Sequence, residues 1–149
     1  MRIFEFFIAC LLLCVGLAIA LPIITYPEIQ TAQVKYLEVK DLVLKVASEI
    51  LSSPDVTKYI YNDVICLEDT EKARDNLYRI LNPLIPIEYS FKAKLELMSG
   101  VTPLCRVCCP SNVSITISRG RISTFSEATS IILVFSDNSK AILQLVIGK

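Results

Sequence analysis

The sequence predicts an α+β fold, with helices in the first half of the chain and an antiparallel sheet in the second. Two observations carry this. Apolar residues recur with a period of 3.6 from Glu28 to Ser52, and after Pro86 they switch to strict alternation. A third is the order of the elements: helices first and strands after build a sheet with helices on it rather than a βαβ array. The expectation is one long amphipathic helix and two shorter ones packed on an antiparallel sheet of about four strands.

The chain opens on a charged residue, Arg2, followed by a nearly unbroken apolar run from Phe6 to Ala20. Ala18-Ile19-Ala20 places small side chains at the end of that run, the pattern signal peptidase cuts. Residues 1–20 therefore read as a cleavable signal peptide, and residues 21–149 as a single secreted α+β domain. An uncleaved membrane anchor is the competing use of such a run. No later segment is long and apolar enough to cross a bilayer, so no transmembrane segment is expected after cleavage.

Pro22 and Pro27 sit so close together that residues 21–27 read as an extended lead-in. In the helix over 28–52, Ile29, Tyr36, Leu37, Val39, Val43, Leu44, Val46, Ala47, Ile50 and Leu51 share about half of the wheel. Lys35, Glu38, Asp41, Lys45 and Glu49 fill the other half, with Leu42 on the polar side. Ser53-Pro54-Asp55 is a stop followed by a new start: a capping serine, a proline at the first helical position and an acid for the helix dipole. That second helix runs to Ile65. A third starts near Asp69 or Thr70 and ends at Leu81, before Asn82-Pro83.

Ile87 to Leu97 alternates without a break and reads as a one-sided strand. Ser99-Gly100 turns it. Residues 101–112 hold two prolines and three cysteines and read as a loop. Val113, Ile115 and Ile117 form a second strand closed by Arg119-Gly120, and 122–125 is strand or loop. A hairpin ends the chain, with Ser130–Phe135 and Lys140–Ile147 joined by the turn Ser136-Asp137-Asn138-Ser139.

Composition narrows the function. Fifteen basic and fifteen acidic residues give a formal net charge of zero, with no basic tract, so a nucleic-acid partner is not expected. The chain has no histidine, which removes the usual general base, the Ser-His and Cys-His pairs and the commonest metal ligand. It has no tryptophan, a favoured anchor of binding sites. No convincing carboxylate pair stands out. Neither an enzyme nor a bound cofactor is expected.

Cys10 and Cys14 leave with the signal peptide, so Cys66, Cys105, Cys108 and Cys109 remain for disulfides in an oxidising compartment. The expected pattern joins Cys66 to one member of the 105–109 cluster and the other two locally. Pairing of the adjacent Cys108 and Cys109 is the least favoured geometry. Cys105-Arg-Val-Cys108 also has the spacing of a redox or zinc half-site, but Pro103 and Pro110 frame a loop where a redox motif needs a helix start. Asn112-Val113-Ser114 is an N-glycosylation sequon beside that loop, which makes Asn112 a candidate acceptor.

The hairpin carries the functional question. Ile131, Leu133 and Phe135 point to one face, while Ile132 and Val134 point to the other. On the return strand Ala141, Leu143, Leu145 and Ile147 oppose Ile142 and Val146. Antiparallel sheets commonly keep one wet face. Burial of four large side chains on the second face is worth about 6–12 kcal/mol, the size of a whole domain's stability. The cover is one of three things: the protein's own helices, a bound apolar ligand, or a partner subunit or further sequence beyond Lys149.

Glu127 to Gly148, an aliphatic strand, a short Asp-containing turn and a second aliphatic strand ending at glycine, resembles a hairpin of the PLUNC and bactericidal/permeability-increasing protein superfamily. That resemblance implies a long amphipathic helix wrapped in a curved sheet, with lipid or another apolar molecule held between them. If an apolar ligand is the cover, its groove is expected to be lined by Tyr36, Val39, Val43 and Val46 from the helix and Ile132, Val134 and Val146 from the hairpin. Asn76-Leu-Tyr-Arg-Ile-Leu81 is similar to a segment of the cathelicidin pro-domain in the cystatin-like group, which implies protease inhibition or defence; the chain has no Gln-x-Val-x-Gly loop of the cystatin kind. The expected function is a secreted, non-enzymatic binding protein. Its partner is an apolar small molecule or lipid, or else an extracellular protein recognised by a module with a closed core, through the 101–112 loop.

Overall fold

The computed structural model describes residues 2–98, 103–106, 113–122 and 124–149, and among the first thirty it describes the side chains of residue 8 and residues 10–15. The chain divides into two units, Met1–Lys35 and Tyr36–Lys149. Among the described residues no helix is long and apolar enough to cross a membrane.

The first unit is helical from Arg2. Its large described apolar side chains, Ile8, Leu11, Leu12, Leu13, Val15 and Val34, are exposed, as are the free thiols of Cys10 and Cys14. The helix, α1, spans Arg2–Ser52. This corrects the expectation of an extended lead-in over 21–27. Proline's fixed φ is itself close to the helical value, so Pro22 and Pro27 each give up one backbone donor without ending the helix.

In the second unit α1 turns Val39, Val43, Val46 and Ile50 into the core, the i, i+4, i+7, i+11 rhythm of one narrow face. The expected half-circle was too wide. Leu37, Leu44 and Leu51 stay exposed, and Leu42, assigned to the polar side, packs half-buried against the core. Helix α2 (Pro54–Ile60) starts where Ser53 accepts a hydrogen bond from the Val56 N–H, with Pro54 at its first positions and Asp55 in its first turn. It runs into a π-helical turn, Tyr61–Ile65. Helix α3 (Thr70–Leu81) is capped by Asp69, whose carboxylate accepts from the N–H groups of Glu71 (3.0 Å) and Lys72 (3.2 Å). Those bonds hold the Asp69 carboxyl below its ordinary range. Ala73, Leu77 and Leu81 form its buried stripe.

Four strands make one antiparallel sheet in the order β2-β1-β4-β3: β1 (Ser90–Leu97), β2 (Ser114–Arg119), β3 (Ser126–Val134) and β4 (Lys140–Gly148). The helices lie on a single face of it. Phe91, Ala93, Leu95, Ile115, Ile117, Ile131, Leu133, Ala141, Leu143, Leu145 and Ile147 are buried with the helical residues in one cluster.

Two boundaries differ from expectation. β1 begins at Ser90 rather than Ile87, and Ile87 is 91% exposed. The reason is Arg119, whose guanidinium donates to the carbonyls of Ile85, Pro86 and Tyr89 and to Asn82 Oδ1, holding 85–89 in a turn that a strand cannot follow. β3 begins at Ser126, four residues before the expected start, because β4 is long enough to pair with it as far as Gly148. The tip of the hairpin is set by Asn138 at φ 62°, a left-handed position that asparagine tolerates.

Candidate functional site

Val39, Val43 and Val46 are fully or almost fully buried, in the same cluster as Leu143, Leu145 and Ile147. Ile132, Val134 and Val146 sit on the other face, since side chains alternate across a strand. The structure therefore does not bring the two halves of the expected groove together. Tyr36 is exposed and its hydroxyl is hydrogen-bonded to Glu127 of β3, which raises the tyrosine above its ordinary pKa.

The outer face reads in rows across the register: Ser114–Glu96–Ile142–Ile132, then Thr116–Lys94–Gln144–Ser130, then Ser118–Lys92–Val146–Ala128. One half is polar and internally paired, with Lys94 2.7 Å from Glu96 and Ser114 Oγ donating to the same carboxylate. The other half carries Ile142, Ile132, Val146 and Ala128, with Gln144 and Ser130 between the two apolar rows. Ile142 and Val146 are half-buried, while Ile132 is 56% and Val134 55% exposed. The strip runs along β3, at the edge of the sheet.

Beyond the end of β3 the strip meets a cleft of about 570 Å³ between the hairpin tip and α2. Pro54, Tyr61, Val134 and Phe135 are its apolar and aromatic lining; Thr57, Lys58, Asn62 and Ser136 supply polar groups. The π-helical turn puts Tyr61 and Asn62 in this wall, and such turns recur at functional sites.

One wall of the cleft is fixed by Asp137. Its Oδ2 accepts from the Tyr61 hydroxyl (2.5 Å) and the Leu104 N–H (3.0 Å), and its Oδ1 accepts from the N–H (3.0 Å) and hydroxyl (2.6 Å) of the buried Ser139. Burial alone would raise this carboxyl, but the Ser139 hydroxyl, the Tyr61 phenol and the two N–H groups outweigh it and hold the acid well below the carboxylate range. Burial and the same contact push the Tyr61 phenol up. Next to Leu104, Cys105 is bonded to Cys66, with 5.5 Å between Cα atoms. Both Asp137 oxygens are therefore engaged by donors.

Cys108, Cys109, Asn112 and most of the 101–112 loop lie outside the described residues. Sequence reasoning missed Tyr61, Asp137 and Arg119. The turn around Asp137 was visible, but its partner Tyr61 is 76 residues away and no local pattern joins them. Among the described residues no three acidic, cysteine or histidine side chains are grouped to hold a metal ion. Compared with protein-family models, curated proteins and solved structures, the chain matches none.

Proposed function

We propose that this chain is an exported, non-catalytic protein-interaction module whose contact surface is the apolar half of the outer sheet face. One observation carries the reading: a core sealed by helices on one side of the sheet, beside Ile132 and Val134 left more than half exposed on the other. Contiguous apolar surface rimmed by polar groups marks interaction sites on soluble proteins, and here Ile132, Val134 and Ile142 are contiguous, with Glu96, Gln144, Ser130 and Lys140 around them. Export rests on the signal-peptide pattern of residues 1–20 and agrees with the Cys66–Cys105 disulfide. The absence of histidine and the full occupation of the Asp137 carboxylate speak against catalysis.

The test is site-specific photo-crosslinking in the producing cell. A crosslinker at position 132 captures protein, whereas one at Thr116, on the polar half of the same face, does not. Equal capture at both positions overturns the reading. The cleft beside the hairpin tip favours a second reading, in which an anionic amphiphile lies on Tyr61, Val134 and Phe135 with its head at Lys58. Mass spectrometry of solvent extracts from the purified protein separates the two: a stoichiometric amphiphile supports the second, and clean extracts remove it.

A further inference from the structure

Strand β3 is an edge, and its register fixes which of its backbone groups face the open side. The Phe135 N–H donates to the Ser139 carbonyl (3.0 Å) and the Lys149 N–H to the Phe125 carbonyl (3.2 Å). In an antiparallel pair the two residues of every second opposed pair exchange both bonds, so the odd-numbered residues of β3 bond to β4. Ser126, Ala128, Ser130, Ile132 and Val134 aim their N–H and C=O groups at the open edge. Among the described residues nothing donates to or accepts from these groups. The same five residues place their side chains on the outer face.

Edge strands are normally blunted by lysine, proline, a bulge or short length. The other edge, β2, has six residues with serine and threonine outside. β3 has nine residues, no lysine, arginine or proline, and a single charge, Glu127, whose carboxylate is engaged by Tyr36.

We infer that the β3 edge pairs antiparallel with β3 of a second copy, continuing the two sheets across a twofold axis at Ser130. This rests on the interaction-module reading and names its partner. The sequence of the edge argues for a copy of itself. Its outer side chains run small, small, small, large, large: Ser126, Ala128, Ser130, Ile132, Val134. A twofold at Ser130 sets Ile132 opposite the partner copy's position 128 and Val134 opposite its position 126, so each large side chain meets a small one. Even-numbered residues then face even-numbered residues, so every outward donor finds an outward acceptor. The two Glu127 carboxylates stand six positions out of register, about 20 Å apart at strand rise, beyond mutual repulsion at physiological salt.

The experiment uses the full chain in sedimentation equilibrium across a dilution series. The wild-type protein shifts from dimer to monomer on dilution. Ser130→Pro deletes one outward N–H from each copy and leaves the bonds to β4 in place, as edge strands tolerate; it weakens the dimer about tenfold or more. Ile132→Lys, which puts a gatekeeping charge on the same edge, does the same. Circular dichroism of both variants checks that the sheet is kept. Under oxidising conditions Ser130→Cys gives a covalent dimer above the wild-type background, and Ala128→Cys does not, because the partner's position 128 lies four residues out of register. A wild-type monomer at all concentrations overturns the inference, as does a dimer untouched by Ser130→Pro. If the chain is monomeric while position 132 still captures another protein, the interaction-module reading stands and self-pairing falls. If position 132 captures nothing, both fall.

Discussion

Asp137 ties three distant parts of the chain together: the π-helical turn through Tyr61, the segment after β1 through Leu104, and its own hairpin turn through Ser139. Charge-assisted bonds of this kind are stronger than neutral ones, and Asp137→Asn replaces one acceptor oxygen with an NH2 donor, so either the Ser139 pair or the Tyr61 and Leu104 pair loses its acceptor. Asp137→Asn is expected to cost about 2 kcal/mol near neutral pH, the low end for such bonds because the carboxyl is only half-buried. The pH dependence follows from the depressed acid. The contribution is complete above the ordinary aspartate pKa of 3.8, declines as pH falls below it, and is gone once the folded carboxyl is protonated. Tyr61 is shifted upward, so its share is complete below 10.0 and fades as pH rises beyond. Urea denaturation of wild type and Asp137→Asn from acid to alkaline pH checks this: the gap between them narrows on the acid side. A gap that is constant with pH excludes the linkage.

At the scale of elements, the starts of α2 and α3 are written locally. Ser53 and Asp69 bond the first N–H groups of α2 and α3, and each lies where capping chemistry expects it. Strand ends are less local. The junction of β2 and β1 depends on Gly120, at φ +72°, where an added Cβ would lie 2.5 Å from Ser90 Oγ and 3.2 Å from Ser90 Cβ. Gly120→Ala therefore meets a left-handed backbone and a close contact together, and is expected to cost about 1–2 kcal/mol. A urea midpoint unchanged from wild type would show that the turn relaxes freely. Arg119, the neighbour of Gly120, sets the start of β1 by gathering carbonyls from 82–89 while its guanidinium lies 5.0 Å from the centre of the Phe91 ring. Nothing in the alternation of Ile87–Leu97 announces that, which is why the strand was read three residues too long.

The molecule as a whole is held at one corner by two devices, the Asp137 bonds and the Cys66–Cys105 disulfide, which joins the helical half to the sheet half over 39 residues. In the chain-entropy account a loop of that size is worth about 4 kcal/mol. The Cys66→Ala, Cys105→Ala double variant is expected to lose about that much in urea denaturation. Because Leu104, next to Cys105, bonds Asp137, combining the double variant with Asp137→Asn is expected to be non-additive. Strict additivity would show the two devices to be independent.

Much of this architecture was readable without coordinates. Periodicity and capping gave the order and type of the α-helices and strands after Ser52, though not the π-helical turn at Tyr61–Ile65 or the 3-10 turns, and the four-residue turn gave the final hairpin. They also separated Ile131, Leu133 and Phe135 from Ile132 and Val134. Such patterns are local, recording which side chains share a side and nothing about what will lie against that side. Helix packing chose the odd-numbered face and left Ile132 and Val134 in solvent, and the folded chain brought Tyr61 to Asp137 and Arg119 to the 82–89 turn. Those choices depend on contacts between residues far apart in sequence, where α1 and α3 cover the odd-numbered side chains of the hairpin and leave Ile132 and Val134 exposed.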